Sequence, residues 1–216
     1  MKKLILTIAL ALATFTAANA QFGIIGGYTT SNTKLSGSTF TAELKNANLW
    51  HAGIAYKIEM GPIFTLQPAL VYQTKGSVVN ADVRNLQTNT GYVELEIGAQ
   101  VGIDLLAFRP FFLLEPFIGY GVVSGEKFSG TVTGMSYDDV NKYLNDAKNK
   151  FEVGFGVGGG VEIFDHVQLS VQWFMNVGKL YNEDKLNSDS IYSVVTSGYK
   201  DVKNYQGIKV TVGIFF

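Results

Sequence analysis

From about residue 22 to the last residue, the apolar stretches of this chain are interrupted at every second position by polar or small residues. The clearest run is about 91–105. Val93, Leu95, Ile97, Ala99, Val101 and Ile103 share one face; Glu94, Glu96, Gly98, Gln100, Gly102 and Asp104 share the other. A period of two is the spacing of a strand with two unlike faces. The same spacing predicts strands at about 48–59, 63–75, 110–123, 150–163, 167–180 and 203–216, and a blurred one at 22–31 broken by Gly23, Gly26 and Gly27. The closing strand carries Val210, Val212, Ile214 and Phe216 on one side, with Lys209, Thr211, Gly213 and Phe215 on the other.

The connections alternate in length as well. A few residues around Met60, Gly61 and Pro62 join the second and third strands; Phe108 to Pro110 join the fourth and fifth; Asp165 and His166 join the sixth and seventh. The remaining connections, at about 32–47, 76–90, 124–149 and 181–202, are long and are expected to be loops. About eight strands of ~10 to 16 residues, with short turns on one rim and long loops on the other, predict an all-β, eight-stranded antiparallel up-and-down barrel, each strand long enough to cross a bilayer at a tilt.

Alternation alone does not say which face is inside. The polar face is rich in glycine, which suits the crowded interior of an eight-stranded barrel and has no advantage on a solvated exterior. That face also carries the carboxylates Glu94, Glu96, Glu115, Glu152 and Glu162 and the cations Lys57, Lys75 and Lys209. Lys57 and Lys209 with the five glutamates are expected to form a charge network that fills the lumen. Aromatic residues gather near strand ends of the apolar face: Trp50, Tyr72 and Tyr120 toward the long loops, Phe64, Phe112 and Phe216 toward the short turns. Paired girdles of this kind mark the two interfaces of a membrane. The barrel is therefore expected to span a bilayer with its apolar face outward. In hydrocarbon every backbone group needs an internal partner, which only a closed ladder of strands supplies. Pro68 and Pro116 sit mid-strand on the apolar face and cannot donate to the ladder, so a bulge or a distorted pair is expected at each.

Targeting and composition agree. Lys2 and Lys3, the apolar run from Leu4 to Thr14 and the small residues Ala18 to Ala20 read as a secretory signal peptide over 1–20, leaving residues 21–216 as the barrel domain. The chain has no cysteine, which excludes disulfides, thiol catalysis and cysteine-ligated zinc. Without the two signal lysines the net charge moves from −1 to about −3, which is not the basic balance of a nucleic-acid binder. Charged residues make up 16% of the chain, below the ~25% of ordinary soluble domains.

On these residues the chain resembles the small outer-membrane β-barrel family often labelled porin family protein, with an OmpX-like or OmpA-barrel-like architecture. The likeness extends over residues 21–216. The end of the chain resembles the signal read by the barrel-assembly machinery: Lys209, Ile214 and Phe216 fit, while Thr211 stands where the family usually has glycine. The resemblance implies an outer-membrane location, with lipopolysaccharide, the assembly machinery and periplasmic chaperones as partners, and an extracellular surface or protein partner met through the loops. It implies a non-enzymatic role, with no cofactor, metal or catalytic residue. The alternatives are a narrow porin-like channel and a lipid-modifying enzyme.

Other motifs read as structure. The run from Gly154 to Gly160 contains a G-x-G-x-x-G match, but a dinucleotide site needs a helix after the glycines, and Val161 to Phe164 lead into a turn. His51 and His166 lack the serine and acid of a hydrolytic triad at any recognisable spacing; Ser190 beside Asp189 is the faint candidate. Ser136 to Asp139 resembles a capping box, and Val140, Tyr143, Leu144 and Ala147 follow at helical spacing, predicting a short loop helix over 136–148. The oxygen-rich stretch from Asn182 to Asp189 lacks the ligand order of a calcium loop.

Overall fold

The computed structural model describes residues 20–35, 43–81, 84–125, 127–130, 145–146, 148–178 and 202–216. Eight long strands form the wall: β1 (Ala20–Leu35), β2 (Glu43–Glu59), β3 (Phe64–Ala81), β4 (Arg84–Gly102), β5 (Phe108–Ser124), β7 (Phe151–Ile163), β8 (Val167–Val177) and β9 (Val202–Phe215). A four-residue strand, β6 (Lys127–Gly130), pairs with the outer part of β4. Every neighbouring pair is antiparallel, β1 pairs with β9, and β3 pairs with β4, so the ring is closed with no free edge in its wall.

The ring is staggered. Starting at Ala20, partners run Ile58, Leu66, Ala99, Leu114, Val157, Trp173 and Ile208, and the circuit returns to β1 at Thr30, ten residues further on. With strands about 4.8 Å apart and a rise of about 3.3 Å per residue, that stagger tilts the strands by about 40°. Such a tilt is within the habit of membrane barrels.

Burial answers the question of faces. Along β5, Phe111, Leu113, Glu115 and Phe117 are buried while Phe112, Leu114, Ile118 and Tyr120 are exposed. On β4 the glutamates are inside and Val93, Leu95, Ile97 and Val101 outside. The apolar exterior continues around the ring through Ile24, Ile54, Leu70, Val153, Val171, Trp173, Val210 and Ile214. A continuous apolar belt of this size is far larger than the few hundred Å² that soluble proteins tolerate. The belt therefore faces lipid. The rings of Trp50 and Tyr72 meet at its long-loop edge with centroids 5.4 Å apart and a 39° tilt, and Phe112 and Phe216 are exposed at its short-turn edge.

One expectation is corrected and another holds in part. The strands run well past the belt on the long-loop side. The stretch 76–90, expected to be a loop, continues as a hairpin ladder up to Ala81↔Arg84. Much of 32–47 and part of 124–149 also belong to strands, in β1, β2 and β6. Backbone pairing needs no apolar alternation once the strand leaves the membrane, so the period-two signal faded before the strands ended. The prolines produce no bulge, but each interrupts the pairing on one side, the distorted pair that was the other expectation. Pro68 keeps its pairing with Ile97 while the β2 ladder skips from Ala55↔Ala69 to Ile58↔Leu66 in the same register. Pro116 keeps Phe155 while the β4 ladder skips from Glu96↔Phe117 to Ala99↔Leu114. Each ring nitrogen removes a donor toward one neighbour only, and the other neighbour holds the register. The true irregularities lie elsewhere: the β2–β3 register shifts between Asn46 and His51, where the Thr74 hydroxyl accepts from the Trp50 N–H at 3.1 Å and donates to the Trp50 carbonyl at 2.7 Å.

The short turns are tight. Phe164 and Asp165 both have left-handed backbones, φ 50° and 61°, closed by His166 N–H donating to the Ile163 carbonyl at 3.2 Å. Two successive positive φ values make a type I′ hairpin turn, a conformation that a phenylalanine adopts only under strain. Residues 1–19 of the expected signal peptide, the Ser190–Asp189 pair and the stretch 182–189 lie outside the described residues, while Ala20, its expected last residue, opens β1. Most of the expected helix at 136–148 lies outside them too; of it, Asn145 and Asp146 are described and helical.

Candidate functional site

Among the described residues, the lumen gathers most of the buried charge. Inward positions of alternate strands project toward a common axis, so side chains distant in sequence meet there. The charged groups stack in tiers. Nearest the short turns, Lys57 on β2 donates to Glu162 on β7 at 2.7 Å and to the Asp165 carbonyl at 3.3 Å. Its ammonium also stands 3.5 Å from Glu59 and 5.5 Å over the Phe215 ring.

The middle tier is Lys209 on β9, 2.7 Å from Glu96 on β4 and 2.7 Å from Glu115 on β5. Gln172 on β8 donates to the same Glu115 oxygen at 2.6 Å. Toward the long loops, Lys75 on β3 lies 2.9 Å from Glu152 on β7, 3.2 Å from Glu94 on β4 and 3.3 Å from the Asn176 side-chain oxygen on β8. The amide of Asn176 in turn donates to Glu152. The rings of Phe117, Phe174 and Tyr92 surround this ammonium at 4.1, 5.2 and 5.4 Å, each positioned for a cation–π contact. Above it, Lys148 donates to the Thr90 hydroxyl and, at 3.1 Å, to Tyr205.

The glycines make these tiers possible. A Cβ on Gly154 would lie 2.2 Å from the Phe117 ring and one on Gly160 2.6 Å from Phe111. Gly119 leaves room in the same way for Glu152 and Glu94. The Gly154–Gly160 run is thus a smooth strip of β7 against which inward rings lie, not a phosphate-binding turn. His51 is buried with its two ring nitrogens 3.0 Å from the Thr29 hydroxyl and 3.1 Å from that of Thr211. His166 sits on the short-turn rim, its Nδ1 3.1 Å from the Phe215 carbonyl.

Every charged residue picked out from the sequence therefore points into the lumen: Lys57, Glu94, Glu96, Glu115, Glu152, Glu162 and Lys209. They meet in separate tiers, with Lys57 and Glu162 apart from the other five. Lys75, which the sequence placed on the same face, organises a tier of its own. Of the residues fitting the assembly signal, Lys209 is engaged in the lumen, Ile214 faces outward, and Phe216 donates its N–H to the Phe22 carbonyl at 2.8 Å. The sequence reading overlooked the inward rings of Phe111, Phe174, Tyr92 and Tyr205. Strict alternation would have found Phe174, since it lies between Gln172 and Asn176 on the polar face. Lys148 had no such signal because it closes a stretch read at helical spacing within a long connection, not at the spacing of a strand.

A closed antiparallel ring of eight strands, apolar outside and salt-bridged within, defines an outer-membrane β-barrel. The chain belongs to the outer membrane protein beta-barrel domain family, whose model matches residues 14–194. No curated protein matches it in sequence. Among solved structures it is similar to the Neisserial surface protein A, at 13% identity over 92% of this chain and 99% of that one, TM-score 0.47. It is also similar to the attachment invasion locus protein Ail of Yersinia pestis, at 14% identity over 91% and 98%, TM-score 0.45. The outer membrane protein OprG of Pseudomonas aeruginosa is a third, at 11% identity over 94% and 98%, TM-score 0.37.

Proposed function

We propose that this chain is a non-enzymatic, plugged outer-membrane barrel that works through its long loops as a structural or surface-interaction protein. The observation that carries this reading is the filling of the lumen. Lys57 and Lys75 are 0% exposed although both point toward the barrel axis, and their bonds and those of Lys209 span the interior. Around Glu96, Glu115 and Lys209 the remaining space is about 10 Å³, no more than one water. A solute path would have to break several charge-assisted hydrogen bonds at once. The two threonine contacts of His51, deep in the wall, favour a packing role for that residue over a lipid-modifying one.

In this reading residues 1–20 direct export and are removed, the short turns face the periplasm, and the long connections face outward. Lipopolysaccharide contacts the belt, the assembly machinery and periplasmic chaperones act on the closing strand, and a partner outside the cell meets the loops. Planar-bilayer recording of the purified protein tests the plug. Silence is expected; stepwise conductance would overturn it in favour of the narrow channel.

A further inference from the structure

We propose that Tyr120, Val122, Val123, Phe151 and Val177 form a one-sided crest that binds acyl chains of the outer leaflet, above the level at which hydrocarbon ends on the rest of the barrel. The crest rests on the belt facing lipid and is independent of whether the lumen conducts.

The stagger fixes relative heights around the ring. Strands tilted by about 40° climb about 2.5 Å along the barrel axis per residue. The ten-residue stagger lifts each hydrogen-bonded neighbour by a little over one residue, going from β1 round to β9. The outward apolar residues at the short-turn edge, Ile58, Phe64, Ile103, Ile163, Val167 and Phe216, then lie within about 5 Å of one height.

The long-loop edge is not level. On β1, β2 and β9 the outward positions turn polar at Thr30, Asn48 and Gln206. The exposed Tyr28 hydroxyl donates to the Asn48 side chain there. On β5 and β7, across the ring from β1, the outward positions stay apolar as far as Val122 and Phe151, and on β8 as far as Val177. These three stand about 7, 6 and 4 Å above Thr30. All five crest residues are more than half exposed.

A bulge enlarges the crest. The β4–β5 register shifts between Gly91 and Tyr92, whose partners are Val123 and Gly121. Val122 is the extra residue, so Val122 and Val123 are both exposed where strict alternation would turn one of them inward. The crest continues the belt upward from Ile118, Val153 and Trp173 without a polar break on the outward face. Tyr120 and Phe151 bring aromatic rings to its upper part, the residue type that marks a membrane interface. Leaning the whole barrel would not seat the crest, because the nearly level short-turn edge would then leave the hydrocarbon on the same side. The acyl chains rise to the crest instead, a local thickening of the bilayer.

The chain has no cysteine, so a single introduced cysteine carries a nitroxide label without further change. The test uses Val122→Cys, Phe151→Cys, Thr30→Cys and, in mid-belt, Val212→Cys, each in the processed chain refolded into dimyristoylphosphatidylcholine liposomes and confirmed by the folded band on unboiled gels. The reading is the ratio of collisions with oxygen, which concentrates in hydrocarbon, to collisions with a water-soluble nickel chelate. At 122 and 151 the ratio should be at least about twofold higher than at 30, although 30 lies nearer the middle of the barrel. The opposite order is what a level lipid edge gives, and it would overturn the crest. Few collisions with either reagent at 122 and 151 would also overturn it, since a second copy, betrayed by spin–spin broadening, or the chain itself would then cover the surface. The label at 212 reads lipid whether or not the crest does; water at 212 would remove the belt and the crest together.

Discussion

Lys209 and Glu96 hang from opposite walls of the eight-strand ring, 113 positions apart in sequence, and their Nζ and Oε1 atoms meet at 2.7 Å. Lys57 and Glu162 repeat the relation, β2 to β7, at the same distance. Two long side chains from facing walls are enough to bridge a barrel of this strand number. Each such pair ties the ring across its diameter, where the ladder ties it only around the circumference.

Each of the upper two tiers sets one lysine against two carboxylates, which makes the lysine the indispensable member. Lys75→Met leaves Glu94 and Glu152 buried without their shared cation and should cost about 3–5 kcal/mol. Glu94→Gln keeps the Lys75–Glu152 bond and removes one of two like charges, so about 1 kcal/mol or less is expected. Urea unfolding of the refolded barrel in liposomes measures both. Equal losses would show that the tier is not organised around its lysine.

Gly154 and Phe117 should be coupled. Gly154→Ala drives a methyl into the Phe117 ring and is expected to destabilise by about 1–3 kcal/mol. Phe117→Leu in the same chain should recover part of that loss, giving a double-mutant coupling of at least about 0.5 kcal/mol. Additive losses would mean that the strip on β7 does not serve the ring.

The outward face is tested at Val171, mid-belt on β8 and 53% exposed. Val171→Arg should cost about 2–4 kcal/mol in a bilayer, the cost of a cation at the midplane. A soluble barrel would accept the same substitution almost without change, so a cost near zero would place the apolar face somewhere other than in lipid.

Deletion of Phe216 removes the N–H bond to Phe22 and the last aromatic at the short-turn edge. Closure of β9 onto β1 should slow, read as a delayed appearance of the heat-modifiable band during assembly. An unchanged time course would detach the terminal residue from the assembly signal.

Much of the fold was legible because two faces in different solvents force a period of two on the sequence. The alternation at 91–105 exists because Val93 and Leu95 meet lipid while Glu94 and Glu96 meet the lumen. In 76–90 the sequence loses that alternation although the ladder continues to Ala81↔Arg84, and the hairpin there was read as a loop. The inward rings other than Phe117, which the alternation had already placed on the polar face, were harder to see for the opposite reason. Phe117 and Phe174 are apolar residues on the polar face, tolerated because Gly154 leaves room for one ring and because the rings surround the Lys75 ammonium.

By itself the sequence determined strand number, the rim each turn belongs to, and which side chains share a face, since these follow from local periodicity and turn length. Only the closed ring decided which charges meet. Pairing of Lys75 with Glu152, or the height of Val122 above Thr30 on the facing wall, depends on the ten-residue stagger that accumulates around eight strands. A stagger is a sum over all eight interfaces, so no single segment of the chain contains it.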